Sequence, residues 1–336
     1  MFIVICKGGD VVMNEGKVKI IDKTIVTLKE VYGDKLNGKI SDIKELIKLL
    51  HMIGSDYIEL TQELYRELSP LPKGIEFKIT SGSIVESRTI RDKSVETRTS
   101  VVKEIEIKED YNPCNILKNE LYNKNFEDIR IIGLENIIFY DYQKIFSEIV
   151  DIFNPNIEMC IKNKYGSATA MSLEWIKFGG STVVTTFAGI GGYASLEEIL
   201  GGLSFLEKKE LHGDYKLFPE VLDLFEKITE SKLHNNMPFI GKDIFNVESG
   251  IHVNGIAKNP STYEPYDPSE IGRKRNIIIG KHSGINALEI KLRELNIEYN
   301  SEKLTFMLED VRRLSTQNRR GLNNEEIKEI YKKCSI

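Results

Sequence analysis

Apolar positions recur along this chain at two alternating periods, and the switches between them mark its elements. KVKIID (Lys17–Asp22) alternates and predicts a short strand. Ser41 then stands as a cap ahead of Ile43, Leu46, Ile47 and Leu50, whose spacing predicts a helix stopped by Gly54. Tyr57–Leu60 returns to strand. Strand, helix and strand within residues 17–60 is the rhythm of a parallel α/β fold.

Residues 61–128 are less orderly. Glu76–Thr80 and Val101–Asp110 alternate as strands do, and the charged stretch SRTIRDKSVETRTS (Ser87–Ser100) between them reads as a solvated loop or sheet edge. The rhythm then returns: strand Ile129–Leu134, helix Tyr142–Phe153, strand Ile157–Ile161, helix Ala168–Gly180, strand Ser181–Thr186, helix Ser195–Lys209. Consecutive βα units leave a parallel barrel and a doubly wound sheet both open. Past residue 233 the pattern changes. Residues 238–284 hold four of the nine prolines and two of the five histidines, with little helical periodicity. Three short amphipathic helices follow, Ile285–Asn296, Ser301–Ser315 and Asn323–Lys333. The expected division is an α/β body (1–233), an irregular arm (234–284) and a helical subdomain (285–336).

Charge narrows the function classes. Lys and Arg number 46 against 51 Asp and Glu, a net charge of −5 that offers no basic face to a phosphate backbone. No apolar run reaches membrane-span length, and MFIVICKGGDVV lacks the cationic start of a secretion signal, so the expectation is a cytoplasmic protein binding neither nucleic acid nor membrane. Cys6, Cys114, Cys160 and Cys334 are widely spaced, arguing against a disulfide framework or a thiolate zinc site.

The arm is the most specific segment. ESGIH (Glu248–His252), KNPSTYEP (Lys258–Pro265), IG (Ile271–Gly272) and GKHSG (Gly280–Gly284) follow one another in order. Together they resemble the post-barrel segment of the homocitrate synthase and isopropylmalate synthase family of Claisen-condensing TIM barrels. IIDKTIVTLKE (Ile20–Glu30) is similar to the family's first barrel strand, and the stretch from Asn154 to Leu200 to its last two. The resemblance implies a TIM-type (β/α) barrel, here degenerate or shortened. Only 68 residues, 61–128, separate the second strand from the predicted sixth, whereas a barrel of ~250 residues spends about 30 on each βα unit.

It also implies a chemistry. Condensing acetyl-CoA with a 2-oxo acid requires a proton taken from a thioester methyl group and a polarised keto oxygen, tasks for an acid/base group and a divalent metal. In the family an Asp on the first strand and two His of H-x-H-N-D on the seventh hold that metal, and an Arg steadies the enolate. This chain departs at each position. Val26 replaces the Arg, Thr27 the Asp, Lys29 the following acid, and Cys160-Ile161-Lys162-Asn163-Lys164 stands for H-x-H-N-D. Gly192 replaces the acid of the GxGER turn. Ammonium groups ligate poorly, so no metal is expected on this chain. Asn163, Thr185 and Thr186 are read as structural, and Cys160 as a buried strand residue. His51 is read as a helix cap, and His212 and His234 as exposed loop residues.

The arm keeps its chemistry. In the family it reaches over a neighbouring subunit's barrel mouth, and the matching positions here are His252 and Tyr263, with Glu248 a partner for His252. The chain is thus similar to the omega-type subunits of split homocitrate synthases used in nitrogen fixation. Such a subunit would lend His252, Tyr263 and Glu248 in trans to a catalytic alpha subunit that carries the divalent metal and uses acetyl-CoA and 2-oxoglutarate. The alternative from another class is a catalytically dead regulatory or scaffolding paralogue, and a third is a lone enzyme with a remodelled pocket.

Overall fold

Lys19–Asp22 forms the first strand (β1), and Ile20, Ile21 and Asp22 in it are fully buried in the computed structural model of the chain. The structure describes residues 17–80, 85–90, 98–108, 115–116, 128–153, 157–248, 255–256 and 259–335. These fall into two compact units that divide between Leu233 and His234.

The first unit is built on a ring of strands. After β1 come Tyr57–Thr61 (β2), Glu76–Thr80 (β3), Val85–Ile90 (β4), Arg98–Ile107 (β5), Asp128–Gly133 (β6), Ile157–Ile161 (β7) and Thr182–Thr186 (β8). Each pairs with the next, and β8 pairs with β1 in the register Lys19↔Thr182 to Asp22↔Thr185, so the eight strands close. β4 runs antiparallel to both its neighbours, and every other pair in the ring is parallel. The two-residue strand Ala194–Ser195 (β9) adds to β8.

Antiparallel entry explains how the barrel is shortened. Parallel neighbours need a crossover of a dozen or more residues, whereas antiparallel ones need only a tight turn. β3, β4 and β5 follow one another within residues 76–107. The ring therefore keeps eight strands while omitting the crossovers on either side of β4. Ser87–Ile90, read from sequence as part of a solvated loop or edge, is a wall strand, and β5 begins at Arg98, inside the same stretch.

Among the described residues, helices lie along the chain between the parallel strands. Thr24–Tyr32 (α1) follows β1, Ile40–Met52 (α2) precedes β2, and Gln62–Glu67 (α3) follows β2 with Thr61 as its cap. Tyr142–Phe153 (α4), Ala168–Lys177 (α5), Leu196–Gly201 (α6) and Phe218–Thr229 (α7) follow. α5 stops at Lys177, short of the predicted Gly180. Trp175 lies against Gly180 so closely that a Cβ there would sit 2.1 Å from the indole, which reserves the position for glycine.

The second unit starts with an irregular segment and ends in three helices, Ile285–Glu294 (α8), Leu304–Asn318 (α9) and Asn324–Ser335 (α10). Leu288, Leu292, Leu304, Met307, Leu308, Val311, Ile327 and Ile330 form their shared core. Asn246–Val247 (β10) and Asn276–Ile277 (β11) pair in parallel, tying the start of the irregular segment to its end. No described helix is long and apolar enough to cross a membrane.

Candidate functional site

The interior of the ring is filled by side chains from its strands, and several of them are charged. Glu59 on β2, Lys78 on β3, Arg130 on β6 and Glu158 on β7 each interrupt a strand whose flanking residues are buried and apolar. Arg130 is fully buried, with its Nη1 2.6 Å from a Glu59 oxygen and its Nη2 2.7 Å from one of Glu158. Its Nε donates to Glu158 at 2.8 Å, and Nη1 also donates to Glu104 of β5 at 3.3 Å. Lys78 donates to the other Glu158 oxygen. β2 and β6, or β3 and β7, are not neighbours in the ring, so these contacts span the lumen.

Lys23, just past β1, closes the set at 3.7 Å from Glu59. Lys23, Lys78 and Arg130 thus face Glu59, Glu104 and Glu158, three cations against three anions. Burial opposes the charges of Arg130 and Glu158, and the pairing outweighs it. Glu59 and Glu158 hold the Arg130 guanidinium higher than its ordinary value, while Arg130 and Lys78 bring Glu158 below the usual carboxylate range. Beside them Cys160 is buried, and desolvation pushes its thiol up to about 11. Together these six groups form an interlocked ion-pair network of balanced formal charge.

The positions matched to the family's metal ligands lie at the strand ends. Val26 and Thr27 fall within α1, both buried, and the Thr27 methyl fills the space before Gly191, where a Cβ would be 2.3 Å away. Lys29 pairs with Glu67 at 3.6 Å. The Lys162 ammonium sits 3.8 Å from the centroid of the Tyr193 ring, and Lys164 lies 3.9 Å from Glu135. Asn163 accepts from the Ala168 N–H at the start of α5, Thr185 donates to Ile21 O, and Thr186 donates to Ile190 O, so all three serve the backbone. Among the described residues no group of three or more His, Cys, Asp or Glu is placed to hold a metal ion.

In the second unit the motifs seen in sequence form a set of turns. The GKHSG stretch folds back on itself, with Ser283 Oγ accepting from the Gly280 N–H at 2.9 Å and Ser283 N–H donating to Gly280 O. One Glu248 oxygen accepts from the His282 backbone N–H at 3.2 Å. Gly280 is required there, since a Cβ would stand 2.5 Å from that same carboxylate oxygen. Arg312 of α9 donates twice to Ser283 O, fixing the turn to the helical core. Farther along, Arg275 forks onto buried Glu264 at 2.8 and 2.9 Å and also reaches Asp267.

Tyr263 is 42 % exposed, and its ring rests on Gly255, where a Cβ would be 2.0 Å away. His252 lies outside the described residues. The structure therefore brings Glu248 to the GKHSG turn and Tyr263 to the chain three residues beyond His252. The imidazole of His282 is exposed, and what the motif contributes is its backbone. The lumen network is not singled out by the sequence reading, although charges of both signs flanked by apolar residues inside the strands (YIELT, EFKIT, DIRIIG, IEMCI) carry its signal.

Comparison with known proteins bears on both units. Residues 239–319 match a domain family described as "Homocitrate synthase post-HMGL domain-like". The homocitrate synthase omega subunit of Clostridium pasteurianum is 32% identical over 96% of this chain and 97% of its own length. Homocitrate synthase AksA of Methanocaldococcus jannaschii is 37% identical over 50% of this chain and 42% of its own. The 2-isopropylmalate synthase 2 of Caldanaerobacter subterraneus is 37% identical over 57% and 50% respectively. The likeness to the Clostridium protein runs through barrel, arm and helical tail alike, and on that full-length match this chain belongs to the homocitrate synthase family.

Proposed function

We propose that this chain is the omega-type subunit of a split homocitrate synthase, which completes the active site of a catalytic alpha subunit. The reaction joins acetyl-CoA, 2-oxoglutarate and water into homocitrate and CoA, as in nitrogen-fixing cells. His252 exchanges the proton of the acetyl methyl group, Tyr263 supports the transfer, and Glu248 orders the segment that presents them. The exposed face of Tyr263 and the hold of Glu248 on the GKHSG turn support that division of labour.

The observation that carries this reading is the contrast between the two units. The arm retains its motifs while the residues at the barrel's ligand positions do not suit a divalent cation. Thr27 supplies a neutral hydroxyl, Cys160 a thiol held protonated by burial, and Lys162 and Lys164 ammonium groups engaged with Tyr193 and Glu135. The metal chemistry of the condensation is accordingly assigned to the alpha subunit. The test is CoA release from acetyl-CoA and 2-oxoglutarate with this chain alone, the alpha subunit alone, and both together. Activity only in the mixture is the expected result, and turnover by this chain alone would overturn the reading.

A further inference from the structure

Two consecutive residues of the arm face opposite environments. Tyr263 is exposed, whereas the carboxylate of Glu264 beside it is buried, with 6% of its side chain exposed. An ionised carboxylate leaves water only for a partner that satisfies its oxygens. Arg275 is that partner. Its Nε donates to the two oxygens of Glu264 at 2.9 and 2.8 Å, and its Nη2 lies 2.7 Å from one of them. The same Nη2 donates to Asp267 at 3.2 Å. Given the proton-transfer role of Tyr263, on which this rests, we propose that Arg275 is a positioning residue for the condensation, holding the Tyr263 hydroxyl in place through its grip on Glu264.

The backbone around Tyr263 leaves this task to the ion pair. Tyr263 follows a single three-residue turn, Pro260–Thr262, and among the described residues no side chain caps it. The Tyr263 and Glu264 N–H groups both donate to Pro260 O at 3.0 Å, and the Asn259 N–H donates to Gly255 O at 2.8 Å. So short a 3₁₀ turn has poor hydrogen-bond geometry and yields readily. One planar peptide unit joins Tyr263 to Glu264, so anchoring the carboxylate limits the directions in which the phenol can leave the backbone. Gly255 gives a second support, since the Tyr263 ring fills the space that a Cβ there would take.

The other end of the clamp ties Tyr263 to Glu248. Arg275 runs directly into β11, whose pairing with β10 sets Asn276 opposite Asn246 and Ile277 opposite Val247. The Asn276 N–H donates to Phe245 O at 3.2 Å, the Ile278 N–H to Val247 O at 2.9 Å, and Asn276 Nδ2 to Asn246 Oδ1 at 3.1 Å. Glu248 follows Val247 directly and accepts from the His282 N–H. Lys291 of α8 donates to Asn276 Oδ1 at 3.1 Å and holds the strand pair to the helices. One arginine thus refers Tyr263 and Glu248 to the same two-stranded ladder. A planar guanidinium fork can satisfy two carboxylates at fixed angles, which the point charge of an ammonium group cannot.

The test is steady-state turnover of the alpha–omega complex carrying Arg275→Lys, Tyr263→Phe or both, at matched complex concentration. Arg275→Lys keeps the charge and loses the fork. Its kcat is expected to fall about tenfold or more, with KM for acetyl-CoA and 2-oxoglutarate within about twofold, because a displaced acid/base group impairs the chemical step rather than binding. In the Tyr263→Phe background the same substitution adds no further loss, since its effect passes through that hydroxyl. Arg320→Lys, which alters a similar fork onto Glu326 in the helical tail, leaves kcat unchanged. Hydrogen exchange of this chain alone gives a readout independent of the partner. Arg275→Lys is expected to speed exchange at the Tyr263 and Glu264 amides about tenfold, while Val311 in the helical core keeps its rate. Unchanged exchange at Tyr263, or an undiminished loss of kcat in the Tyr263→Phe background, overturns the proposal. Loss of protection at Val311 as well marks the pair as merely structural and overturns it too. Reduced kcat in Tyr263→Phe with native kcat in Arg275→Lys overturns the clamp alone, whereas full activity of Tyr263→Phe refutes the role of Tyr263 itself and the positioning with it.

Discussion

Replacing Arg130 by Met removes the Arg130 guanidinium from the lumen network while keeping an unbranched side chain there. It leaves Glu59 with Lys23 at 3.7 Å and Glu158 with Lys78, and converts three cations against three anions into two against three. Breaking a buried ion pair from one side costs about 3–5 kcal/mol, because the surviving charge stays buried without compensation. With an m-value of about 3 kcal/mol/M, the urea midpoint falls by roughly 1 M or more. The loss depends on pH in a defined direction. In the native chain Arg130 and Lys78 depress Glu158, so its contribution is present above its unfolded value near 4.5 and lost as pH falls through the folded one. Without Arg130, burial acts on the Glu158 carboxyl with one cation fewer to oppose it, so that carboxyl protonates more readily in the folded state and the deficit is largest at pH 8 and smaller at pH 5. Adding Glu59→Gln restores neutrality and recovers part of the loss. A deficit below about 1 kcal/mol, equal at both pH values, would refute the view that opposed charges hold the lumen together.

Other consequences are equally direct. Glu197 is fully buried and accepts the Ala188 N–H, and burial pushes its carboxyl up to about 8. Its stabilising contribution is complete below the unfolded value near 4.5 and lost as pH rises from there through about 8, so Glu197→Gln melts like the native chain at pH 4 and at an increasingly higher temperature as pH rises to 9. An unchanged alkaline decline in Tm would count against it. Gly280→Ala drives a Cβ toward the Glu248 carboxylate and destabilises the second unit by about 1–3 kcal/mol, with faster hydrogen exchange at His282. A native-like melt and exchange rate would contradict that. Cys160, with its thiol pushed up to about 11, resists alkylation at pH 8 in the folded chain, and peptide mapping that found it modified before unfolding would contradict its burial.

Periodicity revealed those parts of the fold whose side chains face two environments. α4 and β7 are legible to the residue because an amphipathic run and a mostly apolar one leave a plain signature. β4 was hidden because its outward signal is weak. VESRTI has polar residues at most positions and lies in a charged stretch, and only pairing with β3 and β5 makes it a wall strand. Closure through β1 and β8 was likewise invisible, since register between distant strands leaves no local trace. The arm was legible as motifs in order. That GKHSG would act through its backbone, as a turn receiving Glu248, follows from geometry that spacing does not encode.

The central claim is that this chain contributes proton-transfer chemistry to a partner's site. It is tested most directly by the turnover of the alpha–omega complex reconstituted with His252→Ala, at matched complex concentration verified by sedimentation. The account predicts that the complex assembles and kcat falls by about 10²–10⁴-fold, the usual share of a general acid or base. Full activity in an assembled His252→Ala complex would contradict it, and would leave scaffolding as the role of this chain.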